Sequence, residues 1–302
     1  PNEKQNNFTI GLYLNNNPWV QEEKSNDITL RNLIETQSVL QITNGHYASK
    51  SGLFTYKQNG YAKSVSVKEN ILRGMSVFRN HFQDKRTKRF REVADFGDFE
   101  FDFYVFDFNS KDESSKYYLP KEAKSIIKEH RIYLLRDNIR VLPYGDPDDD
   151  WLQIEVRRGT VRAGDFLSND QIVGRIKITK FGNPHLKDKT NREGLIEKGN
   201  YTTDFICIIQ SFLSYIRNGA YAAYLTDKEK KSQLDKIRKD AVSKEISNLR
   251  NQLKDDKHAL ALLTQLENAY KSENKYLSCR VERTESLAAV GISVETASHD
   301  IM

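Results

Sequence analysis

FEFDFYV, at residues 99–105, is the stretch of this sequence that most clearly specifies local structure. Its odd positions are apolar, while Glu100 and Asp102 place carboxylates at two of the three even positions. A period of two is typical of a β-strand that buries one face and exposes the other to water. The stretch therefore predicts a half-buried strand.

Further strands are predicted on both sides of this one. Asn59-Gly60 and Asp137-Asn138 each separate two apolar runs, and such pairs favour the positive φ angles of hairpin turns. The second hairpin spans residues 131–142. The other predicted strands occupy residues 8–14, 53–56, 62–67, 151–156 and 171–179.

Three segments have helical spacing instead. They are residues 68–93, 119–130 and 201–225. The third is apolar on much of its circumference, so we expect it to pack on the sheet. Together with the strands it predicts an α+β fold over residues 1–225. Residues 181–200 form a connection whose length is typical of functional or mobile loops.

The last third of the chain has a different composition. Residues 226–302 contain no proline and one glycine, with apolar residues at helical spacing. Leu287, Val290, Val294, Ala297 and Ile301 follow alternating steps of three and four, which is the a/d pattern of a coiled coil. We therefore predict a second unit, a helical stalk over residues 226–302 that forms a homodimer, with a bend or break at residues 254–257.

Composition excludes several classes of protein. The chain has 302 residues, a formal net charge of +5 and no apolar run long enough for a membrane span. Its two cysteines are too few for a disulfide framework and suit a reducing compartment, so we expect a cytoplasmic protein without membrane contact. The opening PNEK has no signal-peptide pattern, and we expect further parts of the same protein outside these residues.

The sequence lacks two common metal-binding patterns. The six histidines include no H-E-x-x-H pair, and DPDDD at residues 146–150 lacks the glycine and terminal glutamate of an EF-hand loop. We predict a turn at residues 146–150 and no metal site.

The sequence SHDI at residues 298–301 carries the first candidate chemistry. In the heptad above, His299 lies at position f and faces solvent, next to Asp300 in sequence. A neutral imidazole has a free ring nitrogen that can act as a nucleophile, although a surface histidine is the simpler interpretation. The longer stretch VGISVETASHDI, residues 290–301, resembles the H-box of sensor histidine kinases. That resemblance implies that His299 accepts phosphate from ATP and that Asp300 assists it, in a phosphoprotein of two-component signalling.

The loop LKDKTNREG at residues 186–194 is the second candidate. Three cations in six positions could bind anionic oxygens, although an ordinary solvated loop also fits the spacing. RIY (131–133), RVLPYGDP (140–147), LSNDQIVG (167–174) and DKTNREGLI (188–196) together resemble the transducer domain of GHKL ATPases such as gyrase B, MutL and MORC proteins. In that family a loop lysine contacts the γ-phosphate of ATP. The resemblance implies this role for Arg192 first and for Lys189 second, with Asn191 as an orienting hydrogen-bond donor.

The nucleotide pocket of the GHKL family has a paired signature, an E-x-x-x-N helix segment followed by a D-x-G-x-G loop. This pair is not found in the sequence. We therefore expect that the chain alone neither binds ATP tightly nor hydrolyses it. ATP and Mg²⁺ are expected in the full-length protein, where GHKL nucleotide-binding domains would be partners of this segment.

The sequence-based hypothesis is a middle segment of a signalling protein. ATP binding in a neighbouring domain would act through the transducer-type domain on a dimeric stalk, and His299 would pass phosphate to a response-regulator-type recipient. One alternative is an ATPase machine of the MORC or MutL kind without phosphotransfer, in which the stalk only dimerises. Another is a nucleic-acid clamp that uses the basic cluster of residues 85–91, for which a solvated helix end is the simpler interpretation.

Overall fold

A computed structural model describes residues 13–14, 17–18, 29–110, 115–160, 163–189, 194–197, 199–254 and 256–277. In chain order the strands are β1 Tyr13–Leu14, β2 Asn17–Pro18, β3 Leu40–Ala48, β4 Leu53–Gln58, β5 Tyr61–Ser66, β6 Phe99–Val105, β7 Ile132–Arg136, β8 Ile139–Arg140 and β9 Ile172–Ile178. The helices are α1 Leu30–Gln37, α2 Asn70–Arg73, α3 Ser76–Phe82, α4 Lys121–Lys128, α5 Ile154–Thr160, α6 Tyr201–Ile216, α7 Ala222–Gln252 and α8 at 257–277.

Seven of these strands form one mixed sheet in the order β5-β4-β3-β6-β9-β7-β8. Every pairing is antiparallel except that of β7 with β9, which is parallel. β6 lies in the middle of the sheet, and its alternation of buried and more exposed residues shows that one of its faces is turned to the core. The protein is therefore α+β, as the sequence predicted.

The buried face of the sheet is aromatic, and α6 covers it. The ring of Phe212 lies 4.5 Å from that of Phe54 and 5.0 Å from that of Phe101, measured between centroids. Aromatic pairs at such distances gain energy beyond the area that they bury. The expectation that residues 201–225 pack on the sheet is confirmed. Helices α1 and α4 cover part of the opposite face through a smaller cluster around Phe106 and Val173.

Both hairpins form where their turn residues predict them. Asn59 and Gly60 have φ angles of 49° and 86° between β4 and β5, and Asp137 and Asn138 have φ angles of 50° and 65° between β7 and β8. Positive φ at both central residues is the geometry that matches the twist of paired strands. The strand at residues 171–179 and the helix at residues 119–130 are confirmed as β9 and α4.

The predicted helix over residues 68–93 is wrong in its extent. The chain forms the short helices α2 and α3, with extended backbone at Met75 between them, and leaves the helix after Phe82. The carboxylate of Asp84 accepts hydrogen bonds from the backbone N–H groups of Arg86 and Thr87, at 2.9 and 2.6 Å. Such local bonds compete with helical ones, so the basic cluster is not a helix end.

The predicted strand at residues 151–156 is also wrong, because residues 151–153 lie outside any strand and α5 begins at Ile154. Asp150 Oδ1 accepts a hydrogen bond from the N–H of Ile154 at 2.7 Å, and Oδ2 accepts one from Glu155 at 2.9 Å. These N–H groups have no partner within the helix, and a preceding aspartate is among the residues best suited to satisfy them. The periodicity suggested a strand, but the aspartate at its start specified a helix.

The C-terminal helices fold back on each other. α7 ends at Gln252 and α8 begins at 257, so the predicted break at residues 254–257 is confirmed. Asp256 Oδ1 accepts from the N–H groups of His258 and Ala259, each at 3.0 Å, and so fixes the start of α8. Arg250 of α7 donates to Glu267 of α8 at 3.1 Å, which places the two helices side by side.

One buried carboxylate joins α6 to the segment that follows α3. Asp204 has no exposed surface. Arg91 donates to its two carboxylate oxygens at 2.6 and 2.7 Å. His81 Nε2 lies 2.7 Å from Oδ1, and the N–H of Ala94 donates to Oδ2 at 2.9 Å. Burial by itself raises the pKa of Asp204. The hydrogen bonds from Arg91, His81 and Ala94 outweigh that effect and hold the pKa at about 2, below the ordinary 3.8.

We expect Asp204→Asn to lower the free energy of unfolding by about 3–5 kcal/mol, because it leaves the Arg91 guanidinium next to α6 without its counter-ion. Urea unfolding monitored by circular dichroism measures this loss. Asp148→Asn, at an exposed aspartate, is the matched control and should change stability by less than about 0.5 kcal/mol.

The same pair of proteins gives a pH test. A carboxylate with a lowered pKa in the folded state stabilises the fold above its unfolded pKa of 3.8, and that contribution is lost as the pH falls towards 2. The stability difference between the wild type and Asp204→Asn should therefore narrow over this interval. A difference that is constant with pH would contradict the ionised state of Asp204.

Candidate functional site

The predicted phosphate-contacting residues fall partly within the structure. Lys189 is described and lies at the base of a loop whose tip, residues 190–193, lies outside the described residues together with Asn191 and Arg192. His299 and Asp300 also lie outside them. The structure therefore describes the base of this loop and its connection to the stalk.

Backbone pairing closes the base of the loop. Asp188 and Leu195 form an antiparallel bridge, the N–H of Lys189 donates to the Gly194 carbonyl at 3.0 Å, and that of Ile196 donates to the Lys187 carbonyl at 2.7 Å. These bonds fix the described residues on both sides of positions 190–193. Lys189 is thus adjacent to the tip that carries the other two predicted residues.

Side chains from the β7–β8 hairpin and the loop after it hold this base in place. Arg136 forms an ion pair with Asp188 at 3.0 Å and donates to the carbonyl of Leu186 at 2.5 Å. The hydroxyl of Tyr144 accepts from the N–H of Leu195 at 2.9 Å. The ring of Tyr144 in turn stacks on that of Trp151, with centroids 4.7 Å apart. Burial raises the pKa of Tyr144, so this hydroxyl remains protonated at neutral pH.

Gly194 is required by this arrangement. Its φ angle is 88°, a region that side chains disfavour, and its N–H donates to the Leu142 carbonyl at 2.8 Å. A Cβ atom at this position would lie 2.9 Å from the Tyr144 hydroxyl oxygen. The glycine in the sequence Arg-Glu-Gly therefore lets the loop return close to Tyr144.

The loop base also contacts the start of α6. Thr202 Oγ1 donates to the carbonyl of Ile196 at 2.9 Å. The rings of His185 and Tyr201 stack with centroids 4.2 Å apart and planes within 9°. A displacement of the loop base would therefore act on the first turn of α6.

Helical backbone continues from α6 into α7 through a π-helical segment, Arg217–Tyr221. Within it, Asn218 Nδ2 donates to the Ser214 carbonyl at 2.9 Å. The Tyr221 hydroxyl accepts a hydrogen bond from Gln171 at 2.9 Å, and the same amide donates to the carbonyl of Phe106 at 3.1 Å. π-Helical segments are rare in proteins, and those that occur are often found at functional sites.

A second buried carboxylate attaches the first turns of α7 to the sheet domain. Asp107, two residues after the end of β6, has no exposed surface and accepts a hydrogen bond from Lys228 Nζ and another from the Tyr224 hydroxyl at 3.0 Å. Its other oxygen accepts from the N–H of Asn109 at 2.9 Å. Because Tyr224 and Lys228 are four residues apart, they share one face of α7.

This junction was not predicted from the sequence. Asp107 follows the FEFDFYV strand as one more acidic residue among many, and its partners lie more than a hundred positions later. One usable signal exists, because Tyr224 and Lys228 have the helical i, i+4 spacing. That spacing identifies a shared face but not what the face contacts.

Comparison of the chain with protein-family models, with curated proteins and with solved structures finds no match. Among the residues that the structure describes, no helix is both long enough and apolar enough to cross a membrane. In the same part of the chain, no group of three or more His, Cys, Asp or Glu side chains is placed to hold a metal ion.

A double-mutant cycle on Asp107→Asn and Lys228→Met measures the attachment of α7 to the sheet domain. We expect a coupling energy of about 1–3 kcal/mol, because removing either partner leaves the other without its charge-assisted hydrogen bond. Urea unfolding of the four proteins provides the free energies.

Lys231→Met, at an exposed lysine one turn further along α7, is the control and should show additive behaviour with Asp107→Asn. If the effects of Lys228→Met and Asp107→Asn on the free energy of unfolding were also additive, the contact between Asp107 and Lys228 would not hold α7 in place.

Proposed function

We propose that this chain is the signal-transducing middle segment of a cytoplasmic GHKL-type ATPase or histidine kinase. It couples ATP binding in a neighbouring domain to a dimeric helical stalk. One observation carries the proposal: the base of the loop at residues 187–197 contacts the start of α6, and α6 continues as helix through Arg217–Tyr221 into α7. A continuous helix is a physical carrier for displacement between two sites.

The sensing step of the proposal concerns the tip of the loop. Arg192, Lys189 and Asn191 would contact the γ-phosphate of a Mg²⁺-bound ATP held by a separate nucleotide-binding domain. Positive charge there stabilises a transferring phosphoryl group, and the contact is lost after hydrolysis. The contacts of the loop base with Arg136 and Tyr144 support this role. Because the base is firmly held, a movement of the loop would be transmitted to Thr202 and Tyr201 at the start of α6.

The output step concerns His299 and Asp300. A ring nitrogen of His299 would attack the γ-phosphorus of ATP, the bond to the bridging oxygen would break, and ADP would leave. Asp300 would orient the imidazole and stabilise its positive charge. The phosphoryl group would then pass to the aspartate of a response-regulator-type protein.

The stalk offers a surface for the homodimer. In α8, Leu262, Leu266 and Tyr270 recur every four residues and are 53%, 66% and 45% exposed, whereas Leu263 is buried. In α7, Leu234 and Ile237 are similarly exposed. An apolar stripe of this kind is typical of helices that pack against partner helices. A second copy of the α7–α8 hairpin would cover it in a four-helix bundle.

Phosphotransfer is tested in the full-length protein that contains the nucleotide-binding domain. Incubation with γ-labelled ATP should give label that is stable in base and labile in acid, as a phosphohistidine is, and His299→Ala should abolish it. His258→Ala, at an exposed histidine of α8, is the control and should retain the label.

Two results would reject the kinase. They are ATP hydrolysis without protein-bound label, and label that persists in His299→Ala. The first is what a MORC- or MutL-like ATPase machine would give, with a stalk that only dimerises.

Light scattering on the 302-residue chain tests the dimer. We expect twice the mass of one chain, and a monomer for the double substitution Leu262→Glu and Leu266→Glu, because it places charges in the apolar stripe. The matched control Ala261→Glu and Gln265→Glu changes two exposed neighbours on α8. A monomeric wild type at high concentration would contradict the stalk interface.

A further inference from the structure

The basic cluster that follows α3 forms a compact hairpin. We call residues 83–90 the basic hairpin. Gln83 and Phe90 form an antiparallel bridge, and the N–H of Asp84 donates to the Arg89 carbonyl at 2.9 Å. The N–H of Arg91 then donates to the Phe82 carbonyl at 2.9 Å. These bonds bring the two ends of the segment together and leave residues 85–89 projecting as a turn.

Asp84 organises the turn from inside. Its Oδ1 accepts hydrogen bonds from the N–H and the hydroxyl of Thr87, at 2.6 and 3.0 Å, and from the N–H of Arg86 at 2.9 Å. These bonds hold the pKa of Asp84 below its ordinary value, and the bond from the Thr87 N–H has the largest effect. The nearby Lys88 also lowers the pKa of Asp84, but less than these bonds do.

Four cations project from this turn. Lys85, Arg86, Lys88 and Arg89 are exposed, and in the described part of the chain none of their side chains takes part in a hydrogen bond or ion pair. Arg91, two residues further on, differs because its guanidinium is engaged by Asp204. These four charges lie within five consecutive residues, and with Asp84 the basic hairpin has a formal charge of 4 − 1 = +3, more than half of the net +5 of the whole chain.

The hairpin is also firmly attached to the protein. The ring of Phe90 lies 5.8 Å from that of Phe78 and has the Arg73 guanidinium 5.1 Å above it. The bonds from Arg91 to buried Asp204 fix the chain immediately beyond. Four cations on a pre-organised backbone lose less conformational entropy on binding a polyanion than the same residues in a free loop.

We propose that the basic hairpin binds the phosphate backbone of duplex nucleic acid. Closely spaced, unpaired Lys and Arg side chains neutralise neighbouring phosphates and release the counterions condensed there. The hairpin exposes no large apolar side chain, because Phe90 is packed inward, so it has nothing to insert into a lipid bilayer. Contacts of this kind reach phosphates and not base edges, and binding is therefore independent of sequence.

The test compares two variants with the same net charge. The hairpin variant carries Lys85→Gln, Arg86→Gln, Lys88→Asn and Arg89→Gln; asparagine is chosen at 88 because φ there is 57°. The control variant changes four exposed lysines around β4 and β5, namely Lys50, Lys57, Lys63 and Lys68, to Gln. Each variant has a formal charge of 5 − 4 = +1. Thermal unfolding checks that both remain folded.

Fluorescence anisotropy with a labelled 20-base-pair DNA duplex, over a range of salt concentrations, measures binding by the 302-residue chain. We expect the hairpin variant to bind at least about tenfold more weakly than the wild type in low salt. The slope of log affinity against log salt should fall in magnitude by about 3–4, which corresponds to four lost phosphate contacts. The control variant should stay close to the wild type.

Three outcomes overturn the proposal. They are no binding of the duplex by the wild type, equal loss in the two variants, and hairpin-dependent binding to phosphatidylserine vesicles without binding to DNA. The assay contains no ATP and measures no phosphotransfer, so its result is independent of the kinase proposal.

Discussion

The carboxylate of Asp204 is the contact on which the position of the central helix depends. It lies inside the protein at the start of α6 and is satisfied by groups from α3 and from the segment after it. A buried charge of this kind is tolerated only when its partners are all in place. α6 must therefore sit where Arg91 and His81 can reach it, and that placement sets Phe212 against the aromatic face of the sheet.

Residues with strong local preferences made much of the fold predictable. Asn59-Gly60 and Asp137-Asn138 specified two hairpins, and the alternation of residues 99–105 specified the middle strand. Predictions failed where a single side chain outweighed periodicity, as Asp150 does at the start of α5 and Asp84 does after α3. β3 was missed because an Asn44-Gly45 irregularity interrupts its alternation.

The candidate site was predictable only in part. The sequence identified the loop around Lys189, since cations, Asn and Gly occur together there. It did not identify what holds that loop, because Arg136 and Tyr144 come from the β7–β8 hairpin and the loop after it, some fifty residues earlier. Nor did it reveal the bond between Asp107 and Lys228, since long-range pairs of opposite charge cannot be selected from 89 charged residues by type alone.

The π-helical segment Arg217–Tyr221 sets the rotational phase of everything that follows it. One residue more or less in a helix turns all later side chains by about 100° around the axis. Tyr224 and Lys228 point at Asp107 with the phase that this wide turn provides. The hydrogen bonds to Asp107 therefore depend on the π-helical turn that orients Tyr224 and Lys228. Resetting the turn to ordinary α-helix would swing that pair away from Asp107 and rotate the exposed Leu234 and Ile237 of α7 with it.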